Sequence, residues 1–253
     1  MSARLQDRWE VGRTAFGLWF STDSPSSAEA LAGLDFDYVV IDLQHGLMEV
    51  AGAISMMRAM SRTDATLLCR VPVNEPGIIG RILDAGAAGV IVPMVNDAAD
   101  AEAAVRAAKY SPRGDRSYGP TRARLVGAPA DIADANRSTL VIPMIETAEA
   151  IGNVAAIAAV DGVDALYIGP SDLSITLGLQ PANHQSDPRF VAALSSVLDA
   201  ARAAGVEPGI HADPQLGALR SDQGFAMVTV VTDTQAVVAG AEHALTAARR
   251  SDG

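Results

Sequence analysis

Tyr38-Val39-Val40-Ile41 runs without a polar break into Asp42-Leu43-Gln44-His45-Gly46. A continuous apolar run is how a parallel strand buried on both faces reads, and polar residues at its carboxyl end are what such a strand delivers to a rim. The pattern recurs. Leu67-Leu68-Cys69 ends in Arg70, Val141-Ile142-Pro143-Met144-Ile145 closes on Glu146, and Leu166-Tyr167-Ile168-Gly169-Pro170 leads to Asp172. Asp84 stands ahead of a further run, Gly89-Val90-Ile91-Val92. Any one of these charges reads equally well as a solvated loop residue or a helix cap. Together they meet only if the strands lie side by side.

Eight apolar runs, over 15–20, 38–42, 66–71, 89–93, 140–145, 164–168, 207–211 and 226–231, alternate with helical stretches. The helices are expected over 28–32, 47–62, 74–84, 98–109, 131–137, 148–160, 171–177, 188–204, 216–223 and 234–249. A short helix over 4–12 would plug one end of a barrel. The chain is 49% hydrophobic but only 4% aromatic, so Val, Ile, Leu and Ala must build the core. Strict alternation means a parallel sheet, and eight units favour closure into a (β/α)8 TIM barrel. An open doubly wound sheet is the alternative, but no Gly-x-Gly-x-x-Gly follows the first strand. No linker or change of composition divides the chain, so 1–253 is expected to form one domain. The stretch 110–129 breaks the periodicity and contains Arg113, Arg116, Arg122 and Arg124. A loop of that length is expected to be a lid or a subunit contact, with a solvated loop as the plain alternative.

Thirty acidic against nineteen basic side chains give a formal charge of −11, which repels phosphate backbones and argues against a nucleic-acid partner. The single cysteine, Cys69, sits in an apolar run and reads as a buried, inert thiol. The first residues lack the apolar stretch of a signal peptide, and no uncharged run is long enough to span a bilayer. A cytoplasmic location with no membrane contact is the expectation.

In a barrel of this kind functional residues sit at the C-terminal ends of the strands. His45, Arg70, Glu146 and Asp172 fall there, whereas Asp84 ends a helix and is displaced from that rim. Two carboxylates without clustered His or Cys suit a hard cation such as Mg²⁺ or Mn²⁺, which takes one or two carboxylates plus water and substrate oxygens. An arginine can clamp a carboxylate or steady a developing oxyanion, and a histidine supplies a base near neutrality. Cation, arginine and base are what proton abstraction beside a carbonyl needs.

Several segments, in order, resemble the HpcH/HpaI aldolase family. They are Ile41-Asp42-Leu43-Gln44-His45-Gly46, Leu83-Asp84-Ala85-Gly86-Ala87, Val92-Pro93-Met94-Val95, Pro112-Arg113-Gly114, Ile145-Glu146-Thr147 and Ile168-Gly169-Pro170-Ser171-Asp172-Leu173-Ser174. The resemblance implies a barrel of the phosphoenolpyruvate/pyruvate superfamily and a metal-dependent pyruvate (class II) aldolase. Such an enzyme cleaves a 4-hydroxy-2-oxo acid to pyruvate or hydroxypyruvate plus an aldehyde by way of a metal-stabilised enolate. It further implies Glu146 and Asp172 as ligands of a divalent cation (Mg²⁺, Mn²⁺ or Co²⁺), with Arg70 on the enolate oxygen. His45, oriented by Asp84, would transfer the proton. Gly169, Pro170 and Ser171 would cradle the substrate carboxylate, and Trp19 and Leu47 would line the pocket. A homo-oligomer, typically a hexamer, is implied too, with the C-terminal helix (about 234–250) exchanged between subunits.

The chain departs from the family pattern at Leu43-Gln44, where Gly-Glu is frequent, and at Met144, where glutamine is frequent. Both changes remove polar groups near the pocket and bear on the acceptor rather than on the chemistry. Stretches 110–128 and 207–223 are expected to decide the acceptor. Two rivals stand beside the aldolase: a lyase of malyl- or citramalyl-type CoA thioesters, and a non-catalytic barrel that binds oxo acids.

Overall fold

Short β-branched strands cannot bury both faces unless helices cover one side and side chains fill the other. The computed structural model, which describes residues 4–181 and 185–250, shows that solution. The remaining parts of the domain expected over 1–253 lie outside the described residues. After α1 (Arg4–Glu10) come β1 (Ala15–Phe20), α2 (Pro25–Leu31), β2 (Tyr38–Asp42), α3 (Val50–Ala59) and β3 (Thr66–Arg70). Next are α4 (Pro76–Asp84), β4 (Gly89–Val92), α5 (Ala98–Ala108), α6 (Ile132–Ser138), β5 (Leu140–Ile145) and α7 (Ala148–Ala158). The chain closes with β6 (Ala165–Ile168), α8 (Pro170–Thr176), α9 (Pro188–Ala204), β7 (Glu207–His211), α10 (Gly217–Asp222), β8 (Met227–Thr232) and α11 (Asp233–Arg250). All neighbouring strands pair in parallel, and β8 returns to β1, so the sheet is a closed barrel in sequence order. The (β/α)8 expectation holds.

Local chemistry sets where the helices begin. Ser24, Glu75, Asp97, Asp131, Thr147 and Asp187 each accept a backbone N–H of the first turn that follows. Proline opens α2, α4, α8 and α9, where its missing N–H costs nothing. The helix expected over 47–62 is shorter, because the Leu47 N–H is spent on the Ser21 carbonyl at 2.8 Å and the helical turns start only after Glu49.

The N-terminal mouth of the barrel is stoppered. The Leu5 N–H donates to Thr66 Oγ1 at 3.0 Å, and Arg4 and Arg8 both donate to Asp37 Oδ1, at 2.9 and 2.8 Å. Trp9 Nε1 donates to the Ala226 carbonyl. These partners open or precede strands, so α1 lies across the strand starts, as the plug expected over 4–12. Above it, Tyr38 and Tyr167 share Thr229 Oγ1 through their hydroxyls, at 2.9 and 2.6 Å, and fill the barrel axis. Cys69 is buried and burial pushes its thiol well above the usual range.

One expectation is corrected. Residues 110–129 join α5 to α6, on the return from the end of a helix to the start of β5, which puts them on the N-terminal face, away from the chain's own strand ends where a lid would act. There the Arg122 N–H donates to the Asp84 carbonyl, and its guanidinium to the carbonyls of Ala85 and Met57. The stretch contains one 3₁₀ turn, Ala123–Val126, and is not a lid over the strand ends of its own barrel.

Gly17 shows how tightly the barrel axis is filled, since a Cβ there would overlap the Tyr38 ring. That ring is tied at its far end to Thr229 and has little room to yield. Gly17→Ala is expected to cost about 1–3 kcal/mol as an overpacking change. An unchanged urea midpoint would contradict this account of the axis.

Candidate active site

Parallel register brings Asp42, the last residue of β2, directly opposite Arg70, the last of β3. The two form a forked pair: Arg70 Nε donates to Oδ1 at 2.8 Å and Nη2 to Oδ2 at 2.5 Å. Asp42 also accepts Trp19 Nε1 at 3.1 Å and the N–H groups of Gln44 and His45 at 3.0 and 3.3 Å. Burial pushes the Asp42 carboxyl up, but the hydrogen bonds and charge of Arg70 outweigh it and hold the group below the usual carboxylate range. The Arg70 guanidinium lies over the Trp19 ring, 5.1 Å from its centroid. One carboxylate thus orients the arginine, the tryptophan and the loop that presents His45.

Across the mouth, Glu146 follows β5 and is buried. Its Oε1 accepts the Met94 N–H at 2.7 Å, while its Oε2 is buried without a hydrogen-bond partner among the described residues. Met94 adopts φ +56, an uncommon value for a residue with a side chain. Burial raises the Glu146 carboxyl above its usual range; the Met94 N–H opposes the shift and the charge of Asp172 adds to it. Gly169 makes room for Oε2, since a Cβ there would lie 2.5 Å from it. Asp172 enters from the first turn of α8.

These groups share a pocket of about 170 Å³. It gathers Trp19, His45, Arg70, Glu146, Gly169, Pro170, Ser171 and Asp172, all expected from the sequence. Among the described residues no cluster of three or more His, Cys, Asp or Glu side chains is arranged for a metal, so a cation here would rest on two carboxylates. The unsatisfied Glu146 Oε2 and its glycine-made space fit that demand for oxygen ligands.

Two expected residues stand elsewhere. Asp84 ends α4 on the opposite face of the barrel, where its Oδ1 accepts Arg116 Nη2 at 2.5 Å; within the chain it does not touch His45. A carboxylate at a helix end cannot reach the strand ends at the other mouth. Leu47 is 81% exposed and does not line the pocket, because its backbone is turned toward Ser21.

Three lining residues went unassigned in the sequence: Met144, Tyr167 and His211. Met144 was noticed only as a departure from a family pattern, and Tyr167 read as strand core. His211 closes β7 as Arg70 closes β3, the same signal on a weaker apolar run. Its ring meets Trp19 edge-on at 5.2 Å and 78°. Burial, with a further push from Arg70, brings its imidazole down to about 4.

A sequence model described as HpcH/HpaI aldolase/citrate lyase matches residues 15–246. A hydroxypyruvate/pyruvate aldolase of Rhizorhabdus wittichii is 38% identical over 247 residues, which are 97% of this chain and 98% of that one. A 4-hydroxy-2-oxo-heptane-1,7-dioate aldolase of Klebsiella pneumoniae is 37% identical over 96% of this chain and 92% of its own. A crystal structure of an HpcH/HpaI aldolase/citrate lyase family protein from Burkholderia cenocepacia superposes with a TM-score of 0.90 at 32% identity, covering 98% and 100% of the two chains.

The Asp42–Arg70 pair makes a direct prediction about stability. Asp42→Ala leaves a buried guanidinium unpaired and is expected to cost about 3–5 kcal/mol in chemical denaturation. The double variant Asp42→Ala/Arg70→Met removes both charges and should recover more than half of that loss. A double variant no more stable than the single one would show that the pair is not what holds this corner.

Proposed function

The chain belongs to the HpcH/HpaI aldolase/citrate lyase family, and on that premise we propose a divalent-cation-dependent aldolase. It reversibly cleaves a 4-hydroxy-2-oxo acid into pyruvate or hydroxypyruvate and an aldehyde. The observation that supports it most is Glu146 Oε2, buried without a hydrogen bond in the pocket that Asp172 also lines. Burying a carboxylate oxygen that way is costly unless something positive meets it. Aldolase names on relatives spanning nearly the whole chain favour this reading over a CoA-thioester lyase and over a non-catalytic barrel.

Glu146 and Asp172 would hold the cation, Mg²⁺, Mn²⁺ or Co²⁺, which when bound supplies Lewis-acid polarisation of the 2-oxo group. The chain's own groups do the rest. Ser171 and the N–H groups at the start of α8 face the substrate carboxylate, with Gly169 allowing close approach. Arg70, held flat by Asp42, donates to the 2-oxo oxygen as negative charge gathers there. His45 takes the proton of the C4 hydroxyl in the cleavage direction. The C3–C4 bond then breaks, its electron pair passes into the enolate, the aldehyde departs, and a proton returned to C3 gives pyruvate. Trp19 Nε1 is engaged by Asp42, so its ring face serves as a wall.

Asp84 keeps a part in this reading only through a second copy, since within one chain it lies at the other mouth. A homo-oligomer, with a hexamer as the family expectation, accords with α11, on which Val237, Val238 and Leu245 are all more than half exposed. No helix among the described residues is long and apolar enough to cross a membrane, and a cytoplasmic enzyme is part of the proposal.

The test needs no guess about the aldehyde. Metal-stripped protein in deuterated water is expected to exchange the methyl protons of pyruvate only after Mg²⁺, Mn²⁺ or Co²⁺ is restored. Glu146→Ala and Asp172→Ala should each abolish that exchange, and cation should raise the melting temperature of the wild type but not of Glu146→Ala. Exchange that persists without cation, or in both variants, would sink the proposal.

A further inference from the structure

The mechanism above leaves one polar side chain of the pocket without a task. Trp19 Nε1 is spent on Asp42, Tyr167 Oη on Thr229, and Arg70 is forked onto Asp42 with Nη1 4.0 Å from Met144 Sδ. His211, at the end of β7, also lines the pocket. Its edge-on contact with Trp19 sets the plane of the ring, and among the described residues neither ring nitrogen has a hydrogen-bond partner. Burial and the nearby Arg70 keep it uncharged near neutrality, so it offers one N–H donor and one nitrogen acceptor. Met144 lines the same pocket, and its thioether donates no hydrogen bond and accepts one only weakly. A polar group with both capacities, set in a wall otherwise made of Trp19, Tyr167 and Met144, is the arrangement that selects a hydroxyl.

We propose that His211 binds a hydroxyl group of the substrate and makes the enzyme favour hydroxylated over deoxy partners. The inference rests on the aldolase reading above. The hydroxyl has two possible sources with the same chemistry: C3 of the donor, as in hydroxypyruvate, or the carbon next to the aldehyde carbonyl of the acceptor. Filling the site with an apolar group leaves the imidazole without its partner, so deoxy substrates lose that contact and gain nothing in return.

Aldol addition would be followed for the four combinations of pyruvate or hydroxypyruvate with propionaldehyde or glycolaldehyde, in wild type, His211→Leu and His211→Asn. His211→Leu is expected to keep kcat/KM for pyruvate with propionaldehyde within about 3-fold, which also shows that it folds. It should lose about 10-fold with the hydroxylated partner, the scale of one hydrogen bond. His211→Asn, which retains a donor and an acceptor, should restore most of that loss. A loss confined to hydroxypyruvate names the donor hydroxyl, and one confined to glycolaldehyde names the acceptor. A uniform loss across all four, or no loss, overturns the proposal. Wild type inactive in all four would overturn the aldolase reading instead. The proposal is then decided by the imidazole resonances of His211, which must shift with hydroxypyruvate or glycolaldehyde and not with pyruvate or propionaldehyde. Equal shifts within both pairs, or no shift with any of the four compounds, would overturn it.

Discussion

The mouth of this barrel depends on a charge pair that two adjacent strands present to each other. Because β2 and β3 run parallel and in register, Asp42 and Arg70 face one another as the last residues of their strands. The guanidinium keeps the buried carboxylate ionised, and the carboxylate leaves the guanidinium one orientation. Trp19 and the backbone before His45 then hang from the same two oxygens. Loops usually carry functional groups with some play; here the loop after β2 is pinned by a strand residue. Remove the carboxylate and Arg70, Trp19 and the loop that presents His45 all lose their reference point.

The opposite side of the mouth is built on a different principle, that of leaving something unsatisfied. Met94 takes an uncommon backbone conformation and its N–H occupies one oxygen of Glu146, while Gly169 keeps space beside the other. Local strain of this sort persists only where surroundings enforce it. The result is a carboxylate that is half engaged and half available, beside a second one on α8. Such a pair is unfavourable by itself, and the proposed cation would offset that cost.

Much of this was legible in the sequence, and the reasons differ between residues. Continuous apolar runs ending in Asp42, Arg70 and Glu146 read as buried strands delivering polar ends, and eight such runs alternating with helices favoured a barrel over an open sheet. Asp84 was legible as a helix end away from the rim, and only the resemblance set it beside His45; a motif records adjacency along the chain and says nothing of which mouth a helix end reaches. Leu47 follows His45 by two residues, yet one backbone hydrogen bond to Ser21 turns it outward. His211 carried the same signal as Arg70, but Glu207-Pro208-Gly209-Ile210 is the weakest of the apolar runs, so a strand was expected there without its last residue standing out as a rim group. Of the readings open for 110–129, the lid fails on position alone, since a stretch between the end of α5 and the start of β5 belongs to the far face.

The stopper at the strand starts has a consequence for traffic. With α1 across one mouth and Tyr38, Thr229 and Tyr167 bonded along the axis, the barrel is a cul-de-sac. Whatever enters past His45 and Ser171 leaves by the same door. Two products formed in such a space must queue, so the one bound nearer the floor waits for the other. The order of departure is then set by depth, before any difference in affinity is counted.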